Sequence, residues 1–254
     1  MSTTTTYQDV PDSFDYRGDV YRPPAESDSI ILQASIGCSH NKCAFCGAYR
    51  GKRYALKEES VLDRDLIFAE RYCKRQRRVF VIDGNGLSRH TGRWKWLLEN
   101  IGRRLPWVEG VGTFATGMDI GAKSDGELGA LRDLGLDRLY VGVESGHAGV
   151  LKLVDKGIDP EGLLLQCGRA KKFGMTLVVS VVLGIAPEEH FLENARATGK
   201  LLSAINPDEI GVTMLLPQRG SMFGKAIADG SMPLPDRERL IAELRELYLH
   251  TELD

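Results

Sequence analysis

The feature that most constrains the fold is a regular alternation of short apolar runs with amphipathic stretches. Several of the apolar runs are nearly continuous and rich in Val, Ile and Leu, which is typical of parallel strands covered on both faces. Six such runs occur, at residues 29–36, 78–83, 108–114, 138–143, 176–185 and 209–216. Helical patterns fill the gaps between them, at residues 58–73, 93–104, 125–134, 147–155, 160–173 and 189–204. The spacing of about 35 residues per unit fits a βα repeat.

Strict alternation predicts a parallel sheet with right-handed crossovers. Eight units would close a barrel, but the chain has six. We therefore predict an α/β fold, a partial (β/α)6 TIM-like barrel with its helices outside, in preference to a doubly wound sheet. The expected organisation is an irregular N-terminal arm (1–26), a barrel core (27–235) and a C-terminal segment (236–254) whose amphipathic helix packs on the core. In either architecture the chemistry belongs at the carboxyl ends of the strands.

Bulk properties exclude several classes of protein. The 254-residue chain has a formal net charge of -2, which gives no electrostatic argument for nucleic acid or an anionic membrane. No apolar run reaches the roughly 18 to 20 residues of a membrane span, and the first residues lack the pattern of a signal peptide. The expected location is the cytoplasm. Of five cysteines, Cys73 and Cys167 are isolated in helical patterns, where we expect small buried side chains, so the set is unlike a disulfide scaffold.

The other three cysteines crowd into one loop after the first predicted strand, in "GCSHNKCAFCGAYR". Three thiolates make a soft site, which selects zinc, copper(I) or an iron-sulfur cluster. A zinc site normally has four ligands, and His40 is the available fourth. A cubane cluster bound by three cysteines instead leaves one iron without a protein ligand. Three unconnected free thiols are the remaining alternative. Gly37 and Gly47 flank the cysteines and would let the backbone turn tightly around a cofactor.

The stretch "CSHNKCAFC" resembles the cluster loop of the radical S-adenosylmethionine (radical SAM) superfamily. The resemblance implies that Cys38, Cys43 and Cys46 bind a [4Fe-4S] cluster, and Phe45 occupies the aromatic position before the last cysteine. The departure is the first spacing, with four residues between the first two cysteines in place of the usual three.

Further motifs follow in the order expected of that superfamily. "DGNGL" resembles the glycine-rich turn whose backbone receives the amino group of SAM, which implies a cofactor role for Asp83, Gly84, Asn85 and Gly86. Taken by itself, the stretch is better explained as an ordinary turn. "GVESG" and "VLKLVDKG" are similar to the branch containing oxygen-independent coproporphyrinogen oxidase, the methylthiotransferases and the Elongator catalytic subunit. The similarity places Glu144 at the SAM end of the site and Lys156 near the SAM carboxylate.

Four other positions are implied by less specific motifs. Ser180, before the turn "LGIAPEE", corresponds to a polar residue that faces the ribose, although Ala186 stands where the family has glycine. Thr116 lies near a strand end, where structural hydrogen bonding would explain it equally well. Leu216 could flank the adenine and Arg219 could face SAM or substrate, with core packing the alternative.

As a whole, the resemblance implies an enzyme that cleaves SAM reductively and abstracts hydrogen from an unidentified, small-molecule substrate. Its cofactors would be a [4Fe-4S] cluster and S-adenosylmethionine, and its partner an electron donor such as flavodoxin or ferredoxin. No second cluster motif is present. The rival interpretation is a non-catalytic protein that binds zinc or an iron-sulfur cluster on an α/β scaffold.

Overall fold

A computed structural model describes residues 12–254, which contain a six-stranded parallel sheet. Each strand pairs with the next long strand along the chain, so the order has no reversal. This order confirms the predicted partial barrel and not the doubly wound alternative. The strands are β1 (Ile30–Gln33), β4 (Arg78–Ile82), β5 (Gly110–Ala115), β6 (Leu136–Glu144), β7 (Thr176–Leu183) and β8 (Glu209–Met214).

Helices cover the outer face of the sheet. Every predicted helix is present, and a capping box of Ser124 and Glu127 begins one of them. Seven correspond to predictions: α1 (Glu59–Tyr72), α2 (Thr91–Arg104), α4 (Asp125–Asp133), α5 (Ala148–Leu153), α6 (Pro160–Lys172), α7 (Phe191–Ile205) and α9 (Arg237–Leu249). Two more, α3 (Gly117–Gly121) and α8 (Met222–Ala228), were not predicted because they are too short to show a helical period. No helix within residues 12–254 is long and apolar enough to cross a membrane.

The first predicted strand is divided in two. After β1, the chain forms β2 (Ser35–Ile36), which pairs antiparallel with β3 (Ala55–Leu56). Two-residue strands carry no detectable period, so the sequence did not predict this hairpin. The pairing brings together the two ends of the cysteine loop, residues 37–54.

Apolar side chains fill both sides of the sheet. Between sheet and helices lies the main core, which includes Trp94 and the predicted buried Cys167, both fully buried. Cys73, also expected to be buried, is only half-buried. Inside the barrel, Phe80 contacts Phe114 and Tyr140 edge-to-face, with ring centroids 5.1 and 5.3 Å apart. These three rings form an aromatic floor below the carboxyl ends of the strands.

The last strand differs from the expectation of coverage on both faces. Val212 and Met214 of β8 are 42% and 56% exposed. Within residues 12–254, β8 is an edge strand, since it pairs with β7 alone, and its side chains are left more open to solvent than those of the central strands. A continuous apolar run therefore did not distinguish an edge strand from a central one.

The C-terminal helix α9 packs on the barrel, as predicted, but mostly through polar groups. Arg239 donates to the carbonyl of Ala186 at 2.5 Å, and buried Glu243 accepts from the backbone N–H of Gly184 at 2.5 Å. Of the leucine-rich face, Leu247 is buried, whereas Ile241 and Leu244 are 54% and 45% exposed. The helix thus braces the turn after β7.

The amino end of the barrel is closed by a short 3-10 helix, Pro24–Glu26, at the end of the predicted arm. Its Glu26 is fully buried, accepts the Tyr140 hydroxyl at 2.8 Å and also bonds the Ser29 hydroxyl. Upstream, the Tyr16 hydroxyl donates to the carbonyl of Ile31 at 2.9 Å. The described part of the arm therefore packs against the barrel, and the division into arm, core and C-terminal segment stays a prediction.

We expect Tyr140→Phe to lower the free energy of unfolding by about 1.5–3 kcal/mol, because it removes a hydrogen bond to the buried Glu26 carboxylate. Urea denaturation followed by circular dichroism measures the loss. Tyr72→Phe, at a ring that is 59% exposed, is the matched control and should have almost no effect. Equal stability of Tyr140→Phe and the control would contradict the proposed role of this contact.

Candidate functional site

The cysteine loop lies at the carboxyl end of β1, as predicted, and begins with a turn at Gly37. Gly37 has a φ of +81°, which confirms the need for glycine there. The loop is attached to two other elements through Ala44, whose N–H donates to the carbonyl of Val154 at 2.9 Å and whose carbonyl accepts from Phe223 at 3.0 Å. These two hydrogen bonds hold the cysteine loop against neighbouring segments at the carboxyl end of the barrel.

The guanidinium of Arg50 organises the same loop from behind. It donates to the carbonyls of Lys42 and Cys43, both at 2.9 Å, and to that of Cys46 at 3.3 Å. Sequence reasoning did not assign Arg50 a role. The sequence feature that could have indicated this role is the position of Arg50 at the end of the cysteine stretch, where a guanidinium can donate to several loop carbonyls at once.

Cys38, Cys43 and Cys46 are all free and partly exposed. Burial raises the pKa of the Cys43 thiol to about 11; Lys156 opposes the shift, and Glu144 and the other two loop thiols add to it. Burial also raises the pKa of Cys46. The contributions to the pKa of Cys43 come from both other thiols and from Lys156, so these groups lie near one another. Because a metal ligand must be a thiolate, the nearby ammonium favours the ligating form.

The donor set fits a polynuclear cluster. Within residues 12–254, no group of three or more His, Cys, Asp or Glu side chains is close enough to bind a single metal ion. A cubane cluster makes no such demand, since each cysteine binds a different iron. His40, the fourth ligand of the zinc alternative, has its Nε2 2.7 Å from the carbonyl of Asp155. That nitrogen is engaged in a backbone contact.

The turn after β4 packs directly against the cysteine loop. A Cβ on Gly84 would lie 2.6 Å from the Cβ of Cys38, so only glycine fits at this position. A Cβ on Gly86 would lie 2.3 Å from the Thr113 hydroxyl. The backbone carbonyl of Gly86 accepts a hydrogen bond from the Trp94 indole N–H at 3.1 Å. The two glycines thus allow close approach of the turn to Cys38 and to β5.

Asp83 is a buried anchor between β1, β4 and the cysteine loop. Its Oδ2 accepts from Gln33 Nε2 and from the N–H of Gly37, both at 3.0 Å, and its Oδ1 accepts the Tyr49 hydroxyl at 3.1 Å. Burial raises the pKa of this carboxyl, although the hydrogen bonds and Lys52 oppose the shift. Both carboxylate oxygens are engaged within the protein.

Asn85 and Thr116 are likewise hydrogen-bonded to protein groups. Asn85 Oδ1 accepts the N–H of Ser39 at 3.0 Å, and its Nδ2 donates to the Ser39 hydroxyl at 2.6 Å and to Asp119. Thr116 caps α3, where its hydroxyl donates to Asp119 Oδ2 at 2.7 Å and accepts from the Asp119 N–H. Asp119, which sequence reasoning missed, connects the two. Its signal was the spacing Thr-x-x-Asp of a capping box.

Glu144 and Lys156 form a buried ion pair beside the thiols. Lys156 Nζ lies 2.8 Å from Glu144 Oε1, and their side chains are 6% and 11% exposed. Burial opposes the charge of Lys156, but Glu144 and the thiols of Cys43 and Cys38 outweigh it and raise the pKa of the lysine. A Cβ on Gly142 would lie 2.1 Å from Glu144 Oε1, so glycine leaves the space that the pair occupies. Glu144 has a φ of +64° where β6 ends.

Ser180 lies on the inner face of β7, in register with Gly142 on one side and Gly211 on the other. Its half-buried hydroxyl has no hydrogen-bond partner within the described chain. Two flanking glycines leave space above the aromatic floor. Leu216, by contrast, is 60% exposed and lies beyond the end of β8.

Gly47 owes its identity to packing and not to a tight turn. Its φ is not positive, and a Cβ there would lie 2.5 Å from the carbonyl of Arg219. Its N–H donates to Gln218 Oε1 at 2.6 Å. The segment after β8 therefore touches the cysteine loop, which the sequence did not reveal.

The fold and site together define a class: a partial barrel with a three-thiol loop at the carboxyl end of its first strand. The family model of the radical SAM superfamily matches residues 32–197. The chain belongs to the radical SAM superfamily. Its members are enzymes that use a [4Fe-4S] cluster and S-adenosylmethionine, so the expectation of these cofactors is confirmed and the rival of a non-catalytic metal protein is wrong.

Solved structures share the fold at low identity. Coproporphyrinogen III oxidase from Escherichia coli matches with a TM-score of 0.63 and 17% identity, over 87% of this chain and 51% of that one. The radical SAM methyltransferase TsrM from Kitasatospora setae matches with 0.63 and 17%, over 80% and 39%. Elp3 of the archaeon Methanocaldococcus infernus matches with 0.54 and 15%, over 67% and 44%. The first and third are kinds of protein named in the predicted branch.

A curated relative matches part of the chain. An uncharacterized methyltransferase of Pyrococcus horikoshii is 30% identical over 101 residues, which is 39% of this chain and 22% of that protein. The chain thus spans about half the length of the E. coli structure and a smaller share of this relative.

The contacts of Asp83 predict a difference between two substitutions. Asp83→Ala removes the acceptor for three donors and should lower the free energy of unfolding by about 2–5 kcal/mol. Asp83→Asn keeps an oxygen for Gln33 and Gly37 and offers Tyr49 a donor, so we expect a loss below about 1.5 kcal/mol. Thermal and urea denaturation of the cluster-free chain compare the two. If the asparagine variant were as unstable as the alanine variant, charge and not hydrogen bonding would explain the role of Asp83.

Proposed function

We propose that this chain cleaves S-adenosylmethionine reductively and uses the product radical to abstract hydrogen from a small-molecule substrate at the barrel mouth. When bound, the reduced [4Fe-4S] cluster supplies one electron to the SAM sulfonium, which releases methionine and a 5′-deoxyadenosyl radical. The observation that carries the proposal is the three-thiol loop placed beside the Glu144–Lys156 pair. A reducing cytoplasm suits the free thiols, and the electron donor would be a flavodoxin or ferredoxin.

The cluster ligands in this proposal are Cys38, Cys43 and Cys46. Three features support the assignment: the thiols are free, Cys38 and Cys46 both contribute to the raised pKa of Cys43, and Gly84 leaves room beside Cys38. With three ligands from the chain, one iron of the cluster would be left open for the amino and carboxylate groups of SAM.

The Glu144–Lys156 pair is proposed to bind the methionine end of SAM. That end is a zwitterion, and a buried carboxylate and ammonium 2.8 Å apart present the complementary pair of charges. Burial strengthens such contacts because little water competes for them. Lys156 would bind the SAM carboxylate, and Glu144 would accept from the ammonium or the ribose hydroxyls.

The remaining predicted contacts divide into two groups. The backbone of the turn Asp83, Gly84, Asn85 and Gly86 is proposed to receive the amino group, while the side chains of Asp83, Asn85 and Thr116 keep the surrounding loops in place. Ser180 is proposed to meet the ribose, supported by its unpartnered hydroxyl between two glycines. Phe45 and Leu216 are proposed to flank the cofactor, and the aromatic floor excludes water from below.

The direct test is an anaerobic assay of the reconstituted protein with SAM and dithionite, with 5′-deoxyadenosine quantified by chromatography. We expect 5′-deoxyadenosine and methionine in equal amounts, and loss of both cluster and product in Cys43→Ala. Cys73→Ala, outside the loop, is the matched control and should keep both. A loaded cluster without product above background, beside a working radical SAM enzyme, would contradict the proposal.

The same assay separates hydrogen abstraction from methyl transfer, the reaction named for the P. horikoshii relative. Methyl transfer converts SAM to S-adenosylhomocysteine, which is resolved from 5′-deoxyadenosine on the same column. S-adenosylhomocysteine as the sole nucleoside product would make the proposal of radical formation wrong for this chain.

The proposed role of the ion pair predicts weaker SAM binding when the cation is removed. Lys156→Met should raise the Kd for SAM at least tenfold, which corresponds to about 1.4 kcal/mol, while cluster content stays near that of the wild type. Equilibrium dialysis with labelled SAM measures the affinity. Lys152→Met, at an exposed lysine on the neighbouring helix, is the control. Equal affinity of wild type and Lys156→Met would exclude the lysine from the SAM site.

A further inference from the structure

The cysteine loop carries an unusual charge for this chain. Residues 37–54 contain Lys42, Arg50, Lys52 and Arg53 but no Asp or Glu, whereas the whole chain has a formal net charge of -2. The local excess of positive charge therefore coincides with the segment that carries the three cysteines. The proposed function does not use these cations.

Neighbouring segments add to the same surface. Lys42 and Arg53 are exposed, and the backbone at residues 52–54 lies beside Gly37, next to Cys38. Arg219 is exposed, and its carbonyl lies against Gly47, next to Cys46. We refer to Lys42, Arg50, Arg53 and Arg219 as the loop surface. Their positions surround the cysteines from both ends of the loop.

The charges of the loop surface are not neutralised by ion pairs. Within the part of the chain described by the structure, none of its four side chains lies within ion-pair distance of an Asp or Glu. The Arg50 guanidinium bonds only backbone carbonyls, so its charge persists. Asp155 is an exposed acidic residue nearby, since its backbone carbonyl contacts His40, but it is one carboxylate beside the four cations of the loop surface. The net local charge is positive.

We propose that the loop surface is the docking site of an acidic one-electron donor protein that reduces the cluster. This inference rests on the proposed function, because it needs the cluster on Cys38, Cys43 and Cys46. In the step, a flavin hydroquinone in the donor is oxidised to the semiquinone and the cluster takes the single electron. Docking on the loop itself gives the donor its shortest route to the cluster, since the thiols are partly exposed there.

Electrostatics suits such an encounter. Complementary surfaces raise association rates by 10- to 1000-fold over neutral ones, and the effect falls with salt because the Debye length is about 10 Å at 0.1 M. Charges at the edge of an interface act mainly on the association rate. Reversal of two loop-surface charges should therefore slow reduction by a protein donor and leave reduction by a small reagent nearly unchanged.

The test is stopped-flow bleaching of the loaded cluster by flavodoxin hydroquinone, compared with dithionite, at 20 to 500 mM salt. The variant is Lys42→Glu with Arg53→Glu, and the matched control is Lys95→Glu with Lys200→Glu, two exposed lysines on α2 and α7. A second variant, Lys42→Gln with Arg53→Glu, replaces the first if a negative charge next to Cys43 prevents cluster loading. Binding of flavodoxin to the cluster-free chain is measured in parallel by calorimetry.

We expect the loop-surface variant to be reduced by flavodoxin at least tenfold more slowly at low salt, with the difference vanishing at high salt and unchanged rates with dithionite. An equal effect in the control, or none in the variant, overturns the proposal. Preferential binding of RNA over flavodoxin to the same surface also overturns it, since the surface would then serve a nucleic acid. Failure of the proposed function has a different signature: no 5′-deoxyadenosine with dithionite, even where flavodoxin binds.

Discussion

The site depends on one buried carboxylate. Asp83 lies at the end of β4 and accepts hydrogen bonds from a side chain of β1, from the backbone at the start of the cysteine loop and from Tyr49 near the loop's far end. A buried carboxylate is costly unless its oxygens are paired, and here both are. Loop and sheet therefore share a single anchor. The position of the thiols relative to the strand ends follows from it, as does the close packing of Gly84 on Cys38.

Long elements were predictable from the sequence, and short ones were not. Periodicity located the long strands, such as β6 and β7, because their apolar runs bury both faces of the sheet. The hairpin of β2 and β3 and the helix α3 depend on two to five residues, too few for a period to show. The exposure of β8 could not be predicted for another reason. An edge strand and a central strand can have similar amino-acid composition, so the sequence of the strand alone does not show which of the two it is.

The sequence pointed to candidate site residues where a motif lies in one segment, and it did not reveal contacts that join distant segments; the roles of the candidates stay predictions. The proximity of the cysteines and the pairing of Glu144 with Lys156 bring together motifs that the sequence had already singled out. Tyr49, Asp119 and Gln218 were missed because each acts through a partner at least 30 residues away or through a cap on a short helix. The glycines show the same limit. Gly47 was predicted to be a turn residue, but its lack of a side chain allows the backbone at Arg219 to pack closely against it.

The hairpin of β2 and β3 has a consequence for how the cysteine loop can vary in evolution. Antiparallel pairing fixes both ends of the loop, so a change in the number of residues between them leaves the register of the parallel sheet untouched. This chain has one residue more than usual between its first two cysteines, and Asn41 in that interval adopts a left-handed conformation with a φ of +44°. The additional residue lies within a loop that is closed at both ends, so the spacing between the cysteines can change without a change in the scaffold that presents them.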